Sequence, residues 1–137
     1  MKIRAWRLDS NELLKTHRIY PTPQRVAVAD VLFMKHQHLT ADEVYDQVKR
    51  NANVSKATIY NTLSLFSRHG LVREIVADPS KIFYDSNNTP HHHFYNVDSG
   101  CLTDIENDNL SEPSLSSLPP NTVLDSMDVV VRVKDAS

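Results

Sequence analysis

The chain has 137 residues, enough for one ordinary domain or two very small ones, and its 40% hydrophobic and 23% charged residues suit a globular protein. No apolar run approaches a bilayer span, and Met1 to Leu14 lacks an apolar stretch of signal-peptide length, so a soluble cytoplasmic protein is expected. The formal net charge of -2 conceals a division: residues 1–84 carry 13 Lys+Arg against 8 Asp+Glu, and residues 85–137 carry 2 against 9.

A basic half and an acidic half suit two jobs, one facing a polyanion and the other a cation or a partner, unless the surface of one domain is simply uneven. In chain order, the first helix is expected from Thr22 or Pro23 to Met34. Thr22 is a cap, Pro23 fits the first helical position, and Val28, Val31 and Leu32 repeat at helical spacing. Thr40-Ala41-Asp42-Glu43 is a capping box that opens a second helix, with Ala41, Val44, Tyr45 and Val48 as its apolar stripe. A third helix starts from the N-cap Ser55, runs through Ile59, Leu63 and Phe66, and stops at Gly70. Two β-type runs follow, Leu71–Val76 and Lys81–Asp85, around a turn at Ala77–Ser80.

Helix, helix, turn, helix, hairpin is the order of a winged helix-turn-helix, although any small helical domain with a hairpin shares it. The third helix tilts the reading toward DNA. Ser55, Lys56, Thr58, Tyr60, Asn61 and Thr62 gather polar or amphipathic side chains on its N-terminal half, which a recognition helix presents to bases and phosphates. Arg25, Arg68, Arg73 and Lys81 are candidates for backbone contacts. Tyr60 as a core residue is the competing reading.

After Asp85 the texture changes. Residues 86–90 read as a hinge, which gives a DNA-binding domain over 1–85 and a second domain over 91–137. Strands are expected at His92–Val97 and Cys101–Ile105 around Asp98-Ser99-Gly100. Asp108–Leu118 reads as weakly helical at best, interrupted by Pro113 and four serines, and a last strand is expected over Val123–Val133. A piece of this size buries little core alone, so pairing with a second copy is expected. The fold class is α/β (α+β): a winged helix-turn-helix followed by a small α/β dimerisation domain.

His91-His92-His93 is the most informative triplet. On a strand, His91 and His93 share a face at roughly 6–7 Å spacing. Two such imidazoles, with carboxylates at Asp85 and Asp104 on either side, suit Mn(II), Fe(II) or Zn(II). A surface histidine run with no ion is the bland alternative.

Pro21-Thr22-Pro23-Gln24-Arg25, His38 to Tyr45, Ala57 to Leu63 and the histidine-rich strand resemble the ferric uptake regulator family over about residues 15–134. Within it, the triplet followed by Phe94-Tyr95, and the run Met127–Arg132, are most similar to the iron response regulator branch known as Irr, with the peroxide-sensing branch close behind. The resemblance implies a homodimer on an inverted-repeat, A/T-rich operator, and a regulatory metal held by His38, Asp85, His91, His93 and Asp104. In the Irr branch it also implies heme at the triplet, for which His92 is singled out if it is not a plain exposed residue. Tyr60 would meet thymine methyls, with Asn61 beside it.

This chain departs from the family pattern in places. Members often carry two Cys-x-x-Cys pairs for a structural zinc; here Asn96 and Ser99 occupy the first pair's positions, so that zinc is expected to be absent. The single cysteine, Cys101, excludes a disulfide framework and is expected to be buried in a strand. Three functions compete: a metal- or heme-responsive repressor of iron-related genes, a peroxide sensor oxidised at His38 or His91, and a small metalloenzyme using His91, His93 and Asp104. No nucleophile or cofactor loop speaks for the enzyme.

Overall fold

A computed structural model describes residues 9–87, 91–106, 109–111 and 114–137. It divides into two units, Met1–Asn88 and Thr89–Ser137.

The first unit opens with a helix absent from the sequence reading, α1 (Ser10–Thr16), capped by the Asp9 carboxylate. Arg18 closes it with a positive φ of 62°, a conformation usually left to glycine. The Ser10 hydroxyl donates to the Asp30 carboxylate and ties α1 to the next helix. That helix, α2 (Pro23–Leu32), is capped by Thr22 and ends two residues before Met34. A three-residue strand, β1 (His38–Thr40), precedes α3 (Ala41–Val48), where the Thr40–Glu43 capping box is fully formed. The fourth helix, α4 (Lys56–Arg68), is capped by Ser55 and followed by Gly70 at φ 75°.

The hairpin pairs β2 (Arg73–Asp78) with β3 (Lys81–Asp85). Its turn is Pro79-Ser80, shorter than expected, because the ladder extends to the Asp78–Lys81 pair. Leu71 and Val72, expected in the strand, instead join the helical core, as does Tyr84 from β3. Strand β1 adds to the other edge of β3, giving the order β1-β3-β2. Val28, Leu32, Val44, Ile59, Leu63 and Phe66 are fully buried, so the apolar stripes of three helices meet in one core. Ser86 remains part of this unit, since its hydroxyl donates to the Lys35 carbonyl and accepts from the Gln37 N–H, both at 3.0 Å. Of the hinge segment, residues 88–90 lie outside the described residues.

The second unit is a three-stranded sheet in the order β5-β4-β6. Strand β4 (His93–Asn96) pairs antiparallel with β5 (Leu102–Asp104) and parallel with β6 (Val130–Val133). The last strand is therefore shorter than the expected Val123–Val133. A strand persists only where a neighbour accepts its hydrogen bonds, and β4 offers four residues. Val123 and Leu124 stand exposed. Within Asp108–Leu118, residues 108, 112 and 113 lie outside the described residues, and the described ones form no α-helix. Tyr95, Leu102 and Ile105 make the small core of this unit.

Candidate metal centre and DNA-reading surface

In the first unit, the antiparallel register of β1 and β3 sets His38 opposite Asp85. The His38 Nε2 lies 3.5 Å from Asp85 Oδ2. The other Asp85 oxygen accepts the Asn87 N–H at 2.8 Å. Asp85 is only 1% exposed, and a buried carboxylate needs positive charge or hydrogen bonds beside it. Next to it, the Tyr84 phenol is held above its ordinary pKa by burial first, then by the charges of Glu74 and Tyr60.

In the second unit, the β4–β5 register repeats the device and sets His93 opposite Asp104. His93 Nε2 and His91 Nε2 lie 3.4 and 3.0 Å from the same oxygen, Asp104 Oδ1. The two rings are 4.6 Å apart between centroids. His93 is buried, whereas Asp104 is exposed and comes to the histidines from the solvent side.

These separations bear on a metal. Ligands about 2.0–2.2 Å from a cation hold neighbouring donor atoms roughly 3.0–3.5 Å apart. Each histidine–aspartate pair meets that spacing, and the donor set of imidazole nitrogen and carboxylate oxygen fits a divalent first-row ion without thiolate.

His92 departs from its expected exposure. It is 8% exposed, and its Nδ1 accepts the Val129 N–H at 3.0 Å, tying the chain before β6 to β4. Cys101 departs the other way: it is exposed and lies just before β5. Alternation along the strand turns Leu102 inward and leaves the sulfur outside.

On α4, Ser55, Lys56, Tyr60 and Asn61 are exposed and Thr58 half-buried. Tyr60 is 49% exposed and outside the core. Its hydroxyl donates to Asp42 Oδ1 at 3.4 Å, and Lys56 Nζ lies 3.6 Å from the same oxygen. Arg25 donates from Nη1 to the Tyr20 carbonyl at 2.9 Å. Arg73 is half-buried on β2, opposite Asp85 in the ladder. Sequence reasoning missed β1, because three residues are too few to show alternation. The capping threonine immediately after His38 and Leu39 was the available signal.

The sequence profile of the ferric uptake regulator family matches residues 17–129. The chain belongs to the ferric uptake regulator family. It is therefore a DNA-binding, metal-responsive transcription regulator and not an enzyme. The peroxide-responsive repressor PerR of Staphylococcus aureus (strain Mu50) is 37% identical over 105 residues, covering 76% of this chain and 71% of the relative. In strain USA300 the match is 92 residues, 66% of this chain and 62% of the relative, so the chain spans less than two thirds of that repressor. Two solved family structures share the fold. The ferric uptake regulator of Pseudomonas aeruginosa with manganese has a TM-score of 0.71 at 20% identity, covering 95% of this chain and all of that one. That of Vibrio cholerae has a TM-score of 0.71 at 21% identity, covering 93% and 100%. Among the described residues no helix is long and apolar enough to cross a membrane.

Proposed function

We infer that this ferric uptake regulator family member is a homodimeric repressor of iron-related genes whose grip on an A/T-rich palindrome depends on one divalent cation. The ligand set is His38 and Asp85 from the first unit with His91, His93 and Asp104 from the second. The observation that carries this reading is the convergence of His91 and His93 on a single oxygen of Asp104, repeated as the His38–Asp85 pair. The cation supplies positive charge that offsets the buried Asp85 carboxylate and fixes both histidine rings. Ligands drawn from both units let the ion select one arrangement of the two recognition helices, to the extent that it binds that arrangement better.

Exposed apolar side chains in the second unit, Val97, Leu115, Leu118, Val123 and Leu124, support pairing with a second copy. The regulatory ligand in this reading is the metal and not heme, because His92 is buried with one ring nitrogen engaged by Val129. A gel-shift titration of an A/T-rich palindrome with Mn(II), Fe(II) and heme is the direct test. Metal-dependent retardation with no effect of heme is expected. Equal binding with and without metal would refute the reading.

Peroxide sensing is a second reading, favoured by the 37% identity to repressors named peroxide-responsive. With Fe(II) bound, peroxide would leave one added oxygen on His38 or His91 and release DNA. Mass spectrometry after peroxide exposure decides it, since unmodified histidines in iron-loaded protein remove this reading.

A further inference from the structure

Within the first unit, a groove of about 240 Å³ runs between the start of α2 and the side of α4. Thr22, Gln24 and Arg25 line it from α2, and Thr58, Asn61 and Thr62 from α4. None of the lining residues is acidic.

Thr62 sets this groove apart. Its side chain is on the buried surface of α4, with the residue only 5% exposed. Its hydroxyl is not one of the buried unpartnered polar atoms among the described residues, so it reaches the open space of the groove. A helical threonine often turns that hydroxyl onto the carbonyl of the preceding turn; here it stands on the lining of the groove. Its outlet is the groove.

The opposite wall supplies more donors. Thr22 caps α2 by accepting the Arg25 N–H at 3.3 Å, which leaves its own hydroxyl hydrogen to donate. Pro23 has no N–H, so the Gln24 amide is the first free donor of the helix, at the positive end of its dipole. The bond from Arg25 Nη1 to the Tyr20 carbonyl steadies the guanidinium beside the groove. Asn61 adds a side-chain amide. Hydroxyls, amides and one guanidinium, with no carboxylate to compete, describe a seat for an oxyanion.

We propose that this groove seats one phosphodiester group of the DNA backbone, gripped by the Thr62 hydroxyl, the Gln24 N–H and the Arg25 guanidinium. It rests on the DNA-binding reading above and deepens it. The seat fixes the depth and register at which α4 enters the duplex and reads no bases.

Thr62→Val keeps the shape of the side chain and removes only its hydroxyl. Gln24→Pro removes the backbone donor together with the glutamine side chain, and Gln24→Ala, which keeps the N–H, is its control. Thr62→Val and Gln24→Pro are each expected to weaken binding to the palindrome and to a shuffled duplex alike, by about tenfold, with an unchanged salt slope. Arg25→Gln should also flatten the plot of log affinity against log salt by roughly 0.9, the contribution of one phosphate. Thermal melting of each variant checks the fold. In the wild type, inorganic phosphate at matched ionic strength should shift the Gln24, Arg25 and Thr62 amide resonances, and Thr62→Val should abolish the shift.

If the wild type binds duplex and Thr62→Val and Gln24→Pro bind it equally well, the seat is refuted while the DNA-binding reading stands. Loss on the palindrome alone would make these residues base readers and overturn the seat. Phosphate shifts without any duplex binding would assign the groove to a free anion, and would sink both the backbone assignment and the reading beneath it.

Discussion

A histidine faces an aspartate across an antiparallel ladder twice in this chain, His38 opposite Asp85 and His93 opposite Asp104. Cross-strand partners have β-carbons roughly 4.5–5.5 Å apart, close enough for an imidazole and a carboxylate to share a cation. An ion pair alone accounts less well for the second unit, where two imidazoles meet one oxygen and the more buried ring belongs to His93. Protonating both rings would place like charges side by side. A divalent ion accepts both as neutral donors. His93→Ala is therefore expected to lower Mn(II) affinity by more than about 100-fold, since even outer-shell partners account for 10–100-fold. Titration calorimetry on folded protein checks this, and unchanged stoichiometry and affinity would contradict the ligand assignment. On α4, the exposed Tyr60 ring presents an apolar edge and a hydroxyl steadied by Asp42. Tyr60→Ala should reduce discrimination between the palindrome and a shuffled duplex by about tenfold, within the range of one lost base contact. Nonspecific affinity and its salt dependence should stay near wild type, because no charge is removed.

At the scale of elements, local chemistry was legible and tertiary partnership was not. The capping box at Thr40, the cap at Ser55 and the stop at Gly70 sit where the sequence signals place them, because each is decided by neighbours within one turn. Helix α1 escaped because its apolar face is little more than Leu13 and Leu14, and because Arg18 occupies the left-handed position where a glycine would have marked its end. The early expected start of the last strand came from reading alternating valines as sufficient; β6 forms only beside β4. Of the candidate ligands, the histidine triplet was visible in the residues themselves. His38 was not, since its strand is three residues long and its partner Asp85 lies 47 positions away. Cys101 and His92 were placed on the wrong sides of their surfaces: each lies one residue outside its strand, where Leu102 and His93 take the inward positions. The turn after β4 shows what holds the chain at Asn96 and Ser99. The Asn96 side-chain oxygen accepts the N–H groups of Asp98 and Ser99 at 2.8 and 3.0 Å. Its amide donates to Asp135 at 2.9 Å, and Asp135 N–H donates to Asp98 at the same distance. Asn96→Ala should therefore destabilise the protein by about 1–2 kcal/mol, the usual cost of such a lost set, and speed hydrogen exchange at Asp135. Denaturant melts of both proteins in the presence of a chelator keep the proposed divalent ion out of the comparison, and an Asn96→Ala variant as stable as wild type under those conditions would refute the staple.

At the scale of the whole molecule, the proposed division of ligands between the two units decides what the metal would accomplish. An ion held by one unit alone would stabilise that unit and leave the other indifferent. An ion that draws His38 from the first unit and His93 from the second makes the two mutationally dependent on each other. A double-mutant cycle over His38→Ala and His93→Ala measures that dependence through stability. Without metal the two losses should add within about 0.5 kcal/mol, as for independent sites. With Mn(II) at about 100 times its dissociation constant, the wild type gains about 2.7 kcal/mol by mass action. Either single variant should forfeit most of that gain, so the double variant loses little more and the cycle no longer closes. The same Mn(II) titration, read by gel shift on the palindrome, should show both single variants failing to respond. If the two losses remain additive at saturating metal, the ion belongs to one unit, and its control over the paired recognition helices would have to come from some route other than a shared bond.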